Sequence, residues 1–347
     1  MPYGGNDWLE QTVEETLEPD LPICDPHHHF WDYRLERLPY QRYLLHELQD
    51  DIDSGHNITS TVFVEARAMY RKEGPDSMKP LGELEFVQGL AAASDSGLYG
   101  NCKAAAAIIG HANLNLGKKV QPVLEALQAT SSNRFKGIRH SVTWDPHPEF
   151  HNNAQYKIKG QLKSTDFING ARLLESMGLT FEAWLYFHQL PELVHFAKSV
   201  PNLTIILNHV GGLIRQGPYA NSKEVIDTWK KGIALVAECP NISIKLGGLG
   251  MPICGFDWHQ RDIPIGSHEL SLHLTPYFDY CIEQFGPSRS MFESNFPVDK
   301  VSYSYHILYN AFKRYSKRFT RSERAAMFHD NAVRIYSINL NGSENSG

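Results

Sequence analysis

The sequence predicts a parallel (β/α)8 barrel of the TIM type. Eight short apolar runs are spread along 347 residues, helical patterns fill the gaps between them, and histidines and charged residues gather where the runs end. Eight strands is the number that closes a parallel sheet on itself, so a barrel is favoured over a doubly wound open sheet.

The strand-like runs fall at 21–25, 58–66, 103–111, 135–141, 179–186, 203–209, 242–247 and 290–296. They are rich in Val, Ile, Phe or Ala, as strands covered on both faces are. Helical spacing of apolar residues marks 83–94, 120–129, 167–177, 190–199 and 225–238, with Gly178, Pro201 and Pro240 stopping three of these before the next strand. Closing helices are expected over 304–318 and 322–336. Two insertions, 31–57 after strand 1 and 249–289 after strand 7, follow carboxyl ends of strands and are expected to cover the site. The chain reads as an acidic extension (1–20), one barrel domain (21–338) and a frayed tail (339–347).

Composition narrows the function classes. A net charge of -6 gives no basic surplus for a phosphate backbone, so nucleic acid is not an expected partner. Five scattered cysteines without a CxxC spacing argue against a disulfide framework and a thiolate zinc site. With no signal-like start and no run of about 20 apolar residues, a cytoplasmic protein away from membranes is expected. A homo-oligomer is compatible with the sequence.

The carboxyl ends of barrel strands converge, so their polar side chains are read together. His27 and His29 lie two apart at the end of strand 1 and share a face, the spacing of two metal ligands, while His28 points away. His209 precedes Gly211-Gly212, which allow backbone to approach a ligand closely. Arg139 suits a substrate carboxylate or carbonyl, or an ion pair with Glu65 or Glu182. Glu182 should point into the barrel as anchor or ligand, His111 and His188 are further substrate-binding candidates, and alternation turns His140 and Asn208 away.

The segments DPHHHFWD (25–32), FVEARAMYR (63–71), FKGIRHS (135–141), WLYFHQLPEL (184–193), LNHVGG (207–212) and FESNFPVDK (292–300) together resemble the amidohydrolase superfamily. More narrowly, they are similar to its TIM-barrel lactonases, related to pyrone-dicarboxylate lactonase and sugar-acid lactonases, with a decarboxylase as a more distant relative. The resemblance implies His27, His29 and His209 around one divalent ion, zinc or manganese, without an organic cofactor. It implies Arg139 on the substrate's carboxylate or carbonyl. Those relatives end strand 8 in an aspartate where this chain has Asn295, and an amide is a weaker ligand and no base. The base is then sought at Asp299, Glu293 or a histidine. The expected function is hydrolysis of a small sugar-acid or carboxylated lactone. Metal-dependent, non-oxidative decarboxylation of an aromatic or muconate-like acid, and a non-catalytic barrel that binds small acids, are the alternatives.

Overall fold

Every predicted run overlaps a strand, and the first strand continues three residues past its expected end, to His28. The computed structural model describes residues 4–33, 40–153, 156–220 and 222–339. Its strands are β1 (Ile23–His28), β2 (Ile58–Val64), β3 (Lys103–Gly110), β4 (Phe135–Arg139), β5 (Thr180–Ala183), β6 (Ile205–Leu207), β7 (Ile242–Leu246) and β8 (Ser290–Phe292). They pair in parallel in sequence order. β1 and β8 meet only at their carboxyl ends, through a parallel bridge between His28 and Phe296. There His29 N–H donates to Phe296 O at 2.8 Å and Asn295 N–H to His27 O at 2.9 Å, so the barrel closes beside the predicted site.

One helix of at least two turns follows each strand: α1 (Leu45–Ile52), α2 (Leu81–Asp95), α3 (Gln121–Thr130), α4 (Thr165–Ser176), α5 (Leu190–Ser199), α6 (Lys223–Ala237), α7 (Ser267–Phe285) and α8 (Tyr305–Ser316). Ser222 and Ser304 cap α6 and α8 by accepting from Val225 N–H and Ile307 N–H. The sequence pattern leaves 31–57 and 249–289 as long connections, yet α1 and α7 lie inside them. Pro276 hides α7 from that pattern, because it reads as a helix breaker but sits within a 19-residue helix.

Alternation along the strands separates two apolar cores. Ile23, Phe63, Ile108, Phe181, Ile205, Ile244 and Phe292 belong to the large core against the helices. Cys24, Val62, Val64, Ala107, Ile109, Ile206 and Met291 point inward and pack with Ala332, Tyr336 and Ile338 from the closing helical segment. That segment plugs the amino-terminal end, where Lys103 Nζ donates to Asn339 O. All five cysteines are free and buried.

Residues 4–20 pack on the barrel. Glu14 accepts from Ser267 N–H at the start of α7, and Lys313 Nζ donates to Leu17 O and Glu18 O. The tail expectation falls almost wholly on 340–347, outside the described residues. Among the described residues no helix is long and apolar enough to cross a membrane.

Candidate active site

Period-two alternation sets the first strand's chemistry. His27 and His29 share a side, with ring centroids 5.0 Å apart. His28 turns outward, bonding Thr61 Oγ1 at 2.8 Å and packing on Phe30 and Phe63. Burial pushes His28 down to about 3, so it stays neutral as a structural group. At the end of β8 the same alternation that turns Met291 inward also turns in Glu293 and Asn295.

Glu293 is fully buried. Its Oε1 accepts from the His209 backbone N–H at 3.0 Å and lies 2.8 Å from His209 Nδ1. Its Oε2 lies 2.7 Å from His27 Nδ1, but the two are not aligned as a hydrogen bond and neither has another partner. His27, His209 and Glu293 offer ligand atoms that all lie within 4.8 Å of one another. Two imidazoles and a carboxylate suit a first-row divalent ion, and two orphaned buried atoms are what such an ion would satisfy. Burial, followed by the charges of Lys245 and His209, holds His27 well below its ordinary value, in the neutral form a ligand needs.

Arg139 stands beside this group. Its Nε donates to Glu65 Oε1 at 2.8 Å, its Nη2 to Glu65 O, and its Nη1 lies 3.2 Å from His27 Nε2. Burial pushes Glu65 upward, but the charges of Arg139, His111 and Arg67 and the Arg139 hydrogen bond together outweigh it, and the net effect is a lowered value. Both readings of Arg139 therefore meet in one place: it is ion-paired to Glu65, and it lines the cavity. Two of its five N–H groups remain for a ligand.

A cavity of about 100 Å³ opens here, small beside the several hundred Å³ of typical ligand pockets. His29, Glu65, Arg67, Arg139, Ser141, His209 and Asn295 give it polar walls, and Trp31, Trp184, Met251 and Val298 give it apolar ones. Arg67, His209 and Asn295 all carry left-handed backbone, with φ of 59, 52 and 56°. Such conformations cost on the order of 1 kcal/mol or more each outside glycine, and here they gather at the cavity wall. After His209 the turn continues through Gly212, where a Cβ would lie 1.8 Å from Leu185 O. A Cβ on Gly248 would lie 2.4 Å from His209 Nδ1.

The other predicted residues fall outside the cavity wall. Glu182 points into the barrel as expected, where it accepts from Lys245 Nζ at 2.8 Å, from Asn208 Nδ2 and from the Tyr336 hydroxyl. Asn208 thus turns inward, which corrects the expectation: its backbone is still extended, so it follows the inward Ile206, and it is His209, with φ of 52°, that departs from alternation to face the cavity. His111 bonds Arg139 O and the Tyr156 hydroxyl, and His188 bonds Trp144 O. Asp299 accepts from Asn295 Nδ2, Gly250 N–H and the Tyr303 hydroxyl, and burial raises it to about 6. It lies behind Asn295, whose Oδ1 is 3.3 Å from His29 Nε2. His29 Nδ1 meets Val64 O at 2.7 Å. The sequence reading offered Glu293 as a base and not as a partner of His27 and His209, and it gave Arg67, at the end of strand 2, and Trp184 no particular role. The signal for Glu293 was present, since Glu293 and Asn295 have the same two-residue spacing as His27 and His29.

The sequence model of the amidohydrolase family matches residues 24–338. An uncharacterised protein, y4mH, of Sinorhizobium fredii is 29% identical over 339 residues, covering 92% of this chain and 99% of its own. An L-fucono-1,5-lactonase of Burkholderia multivorans is 22% identical over 90% of this chain and 95% of its own. The crystal structure of an amidohydrolase from Burkholderia multivorans with bound zinc superposes with a TM-score of 0.70 at 22% identity, covering 91% of this chain and 99% of its own. That likeness is one of fold: the same barrel. With the family's model matched along nearly the whole barrel, the chain belongs to the amidohydrolase family and is an enzyme of the hydrolase type.

Proposed function

We propose that this enzyme opens the lactone ring of a small sugar acid or carboxylated ring by attack of water on the lactone carbonyl. The observation that carries this reading is a pair of activated groups on one cavity wall. Arg139 and His209 both face the cavity, and each is held from behind by its own buried carboxylate, Glu65 and Glu293. Groups fixed in this way stabilise the charge that develops on a carbonyl oxygen without having to reorganise. The lactonase relative supports the same substrate class.

His27, His209 and Glu293 would hold a divalent ion, which when bound polarises a carbonyl and acidifies a water. The remaining work falls to the chain's own side chains. Arg139 directs its two unused N–H groups at the oxygen that becomes negative. Trp31, Trp184 and Met251 hold the ring and limit the water that enters. His29, with Nδ1 on Val64 O, takes the water's proton at Nε2, and Asn295 Oδ1 accepts the new N–H. Asp299 fixes the Asn295 amide so that its oxygen faces His29. The bond from carbonyl carbon to ring oxygen then breaks, the ring oxygen takes the proton held at His29 Nε2 and leaves as a hydroxyl, and the new carboxyl group releases the proton that a pH-stat reads.

The test is proton release from γ- and δ-lactones in a pH-stat, for the wild type, His209→Ala and His29→Ala. Each variant is expected to lose roughly 10²- to 10⁴-fold in kcat/KM, the usual worth of a positioned acid or base. Unchanged hydrolysis in both would sink the proposal. Carbon dioxide released from aromatic or muconate-like acids, without lactone turnover, would move the activity to decarboxylation.

A further inference from the structure

Arg67 lines the same cavity as Arg139, at its exposed edge, and its surroundings differ in kind. Arg139 is tied to Glu65 and His27. Among the described residues, Arg67 makes no hydrogen bond or ion pair, although Glu65 lies close enough to feel its charge. The backbone nevertheless holds Arg67 firmly. Its φ of 59° is left-handed, and the amides on either side, Ala66 N–H and Ala68 N–H, both donate to Oε1 of the buried Glu83, at 2.9 and 2.8 Å. The buried Glu83 carboxyl group thus clamps the turn so that a guanidinium without a partner among the described residues stands at the mouth of the cavity. The apolar walls of Trp31, Trp184, Met251 and Val298 offer little to a ring bearing many hydroxyls.

We propose that Arg67 is a specificity residue that binds a carboxylate carried by the substrate outside its lactone ring. The preferred substrate is then a small carboxylated lactone and not a neutral polyhydroxylated one. This rests on the lactone-hydrolase reading of the site and sharpens it. It also divides the two arginines. Arg139, held by Glu65, serves the reacting carbonyl, and Arg67 serves the anionic end by the forked geometry that guanidinium offers a carboxylate.

The experiment compares two lactones of one shape, 5-oxotetrahydrofuran-2-carboxylate and its carboxamide, in the wild type, Arg67→Met and Arg67→Lys. The wild type should prefer the carboxylate. Arg67→Met should lower kcat/KM for the carboxylate by tenfold to about a hundredfold more than for the carboxamide, mainly through KM, as loss of one charge-assisted pair would. Arg67→Lys should recover part of the preference, since it restores the charge but not the fork. An equal fall on both substrates, or no preference in the wild type, overturns the assignment. Calorimetric binding of glutarate separates this from the catalytic reading, because glutarate has two carboxylates and no ring to open. Binding that weakens at least tenfold in Arg67→Met supports Arg67 even if no lactone is turned over. Binding that is absent in the wild type, or equal in both proteins, refutes the role of Arg67.

Discussion

Glu182 and Lys245 lie fully buried inside the barrel, 2.8 Å apart, whereas Arg67 stands at its mouth without a hydrogen-bond or ion-pair partner among the described residues. In the inner cluster the ammonium meets a carboxylate, and both oxygens of that carboxylate are engaged, one by Lys245 and Asn208 and the other by Tyr336. Around the cavity, His27 Nδ1, Glu65 Oε2 and Glu293 Oε2 are buried without an aligned partner. The contrast separates charges that hold the barrel together from charges that await a ligand. A buried pair gives little net stability, because the lost hydration offsets its attraction, but breaking it leaves a charge with nowhere to go. An unsatisfied site gives up some stability in exchange for readiness to bind.

The largest effect that could break this contrast is expected at Lys245. Lys245→Met should destabilise the protein by about 3–5 kcal/mol in urea unfolding, because the Glu182 carboxylate is then buried without its cation. Adding Glu182→Leu should recover much of that loss. Arg67→Met, by comparison, should stay within about 0.5 kcal/mol of the wild type, as exposed substitutions usually do. Equal losses at the two positions would erase the distinction between floor and mouth.

A smaller, pH-dependent effect is expected at Glu83, beneath the Arg67 turn. Burial, reinforced by the charge of Glu65, raises its carboxyl from the usual carboxylate range to about 8. The folded state therefore binds this proton more tightly than the unfolded one. Its contribution is fully present below about pH 4.5, declines as the pH rises, and is gone above about 8. Glu83→Gln can still accept from Ala66 N–H and Ala68 N–H without ionising. Urea unfolding at pH 6 and pH 9 should show the variant losing less stability than the wild type, a difference on the order of a few kcal/mol. The same loss in both proteins would mean that Glu83 is ionised throughout.

How much of this was legible in the sequence follows from which interactions are local. Strand positions, the inward pair His27 and His29, and the outward His28 all come from a two-residue period, and the structure has them as read. Helix α7 escaped because a local rule about proline was overridden by packing along Leu270, Leu274 and Phe278. The pairing of Glu182 with Lys245 joins residues 63 apart in sequence, and that of Glu293 with His209 joins residues 84 apart. No periodicity announces such partners. Alternation could place Glu182, Lys245 and Glu293 inside the barrel, and His209 enters through its left-handed backbone, but only the order and stagger of the strands decides which charges meet. The same limit hid the difference between the arginines, since nothing near Arg139 or Arg67 in sequence says which is tied to Glu65.

The smallest effect is expected at an ion pair that looks like the inner one but lies in water. Arg71 and Glu85 are joined through two guanidinium nitrogens, with side chains 43% and 45% exposed. The pair links the loop beyond Arg67 to α2. Water solvates both partners when the pair is broken, so neither is left as a buried charge, and salt screens their attraction further. A double-mutant cycle of Arg71→Ala and Glu85→Ala should therefore give a coupling close to zero, shrinking further as salt is raised. Because Glu83 already clamps the Arg67 turn from below, the carboxylate preference of the enzyme should survive both substitutions. A coupling near that of Glu182 and Lys245, or loss of the preference, would show that the loop is held by its exposed pair and that burial is not what distinguishes the two kinds of charge.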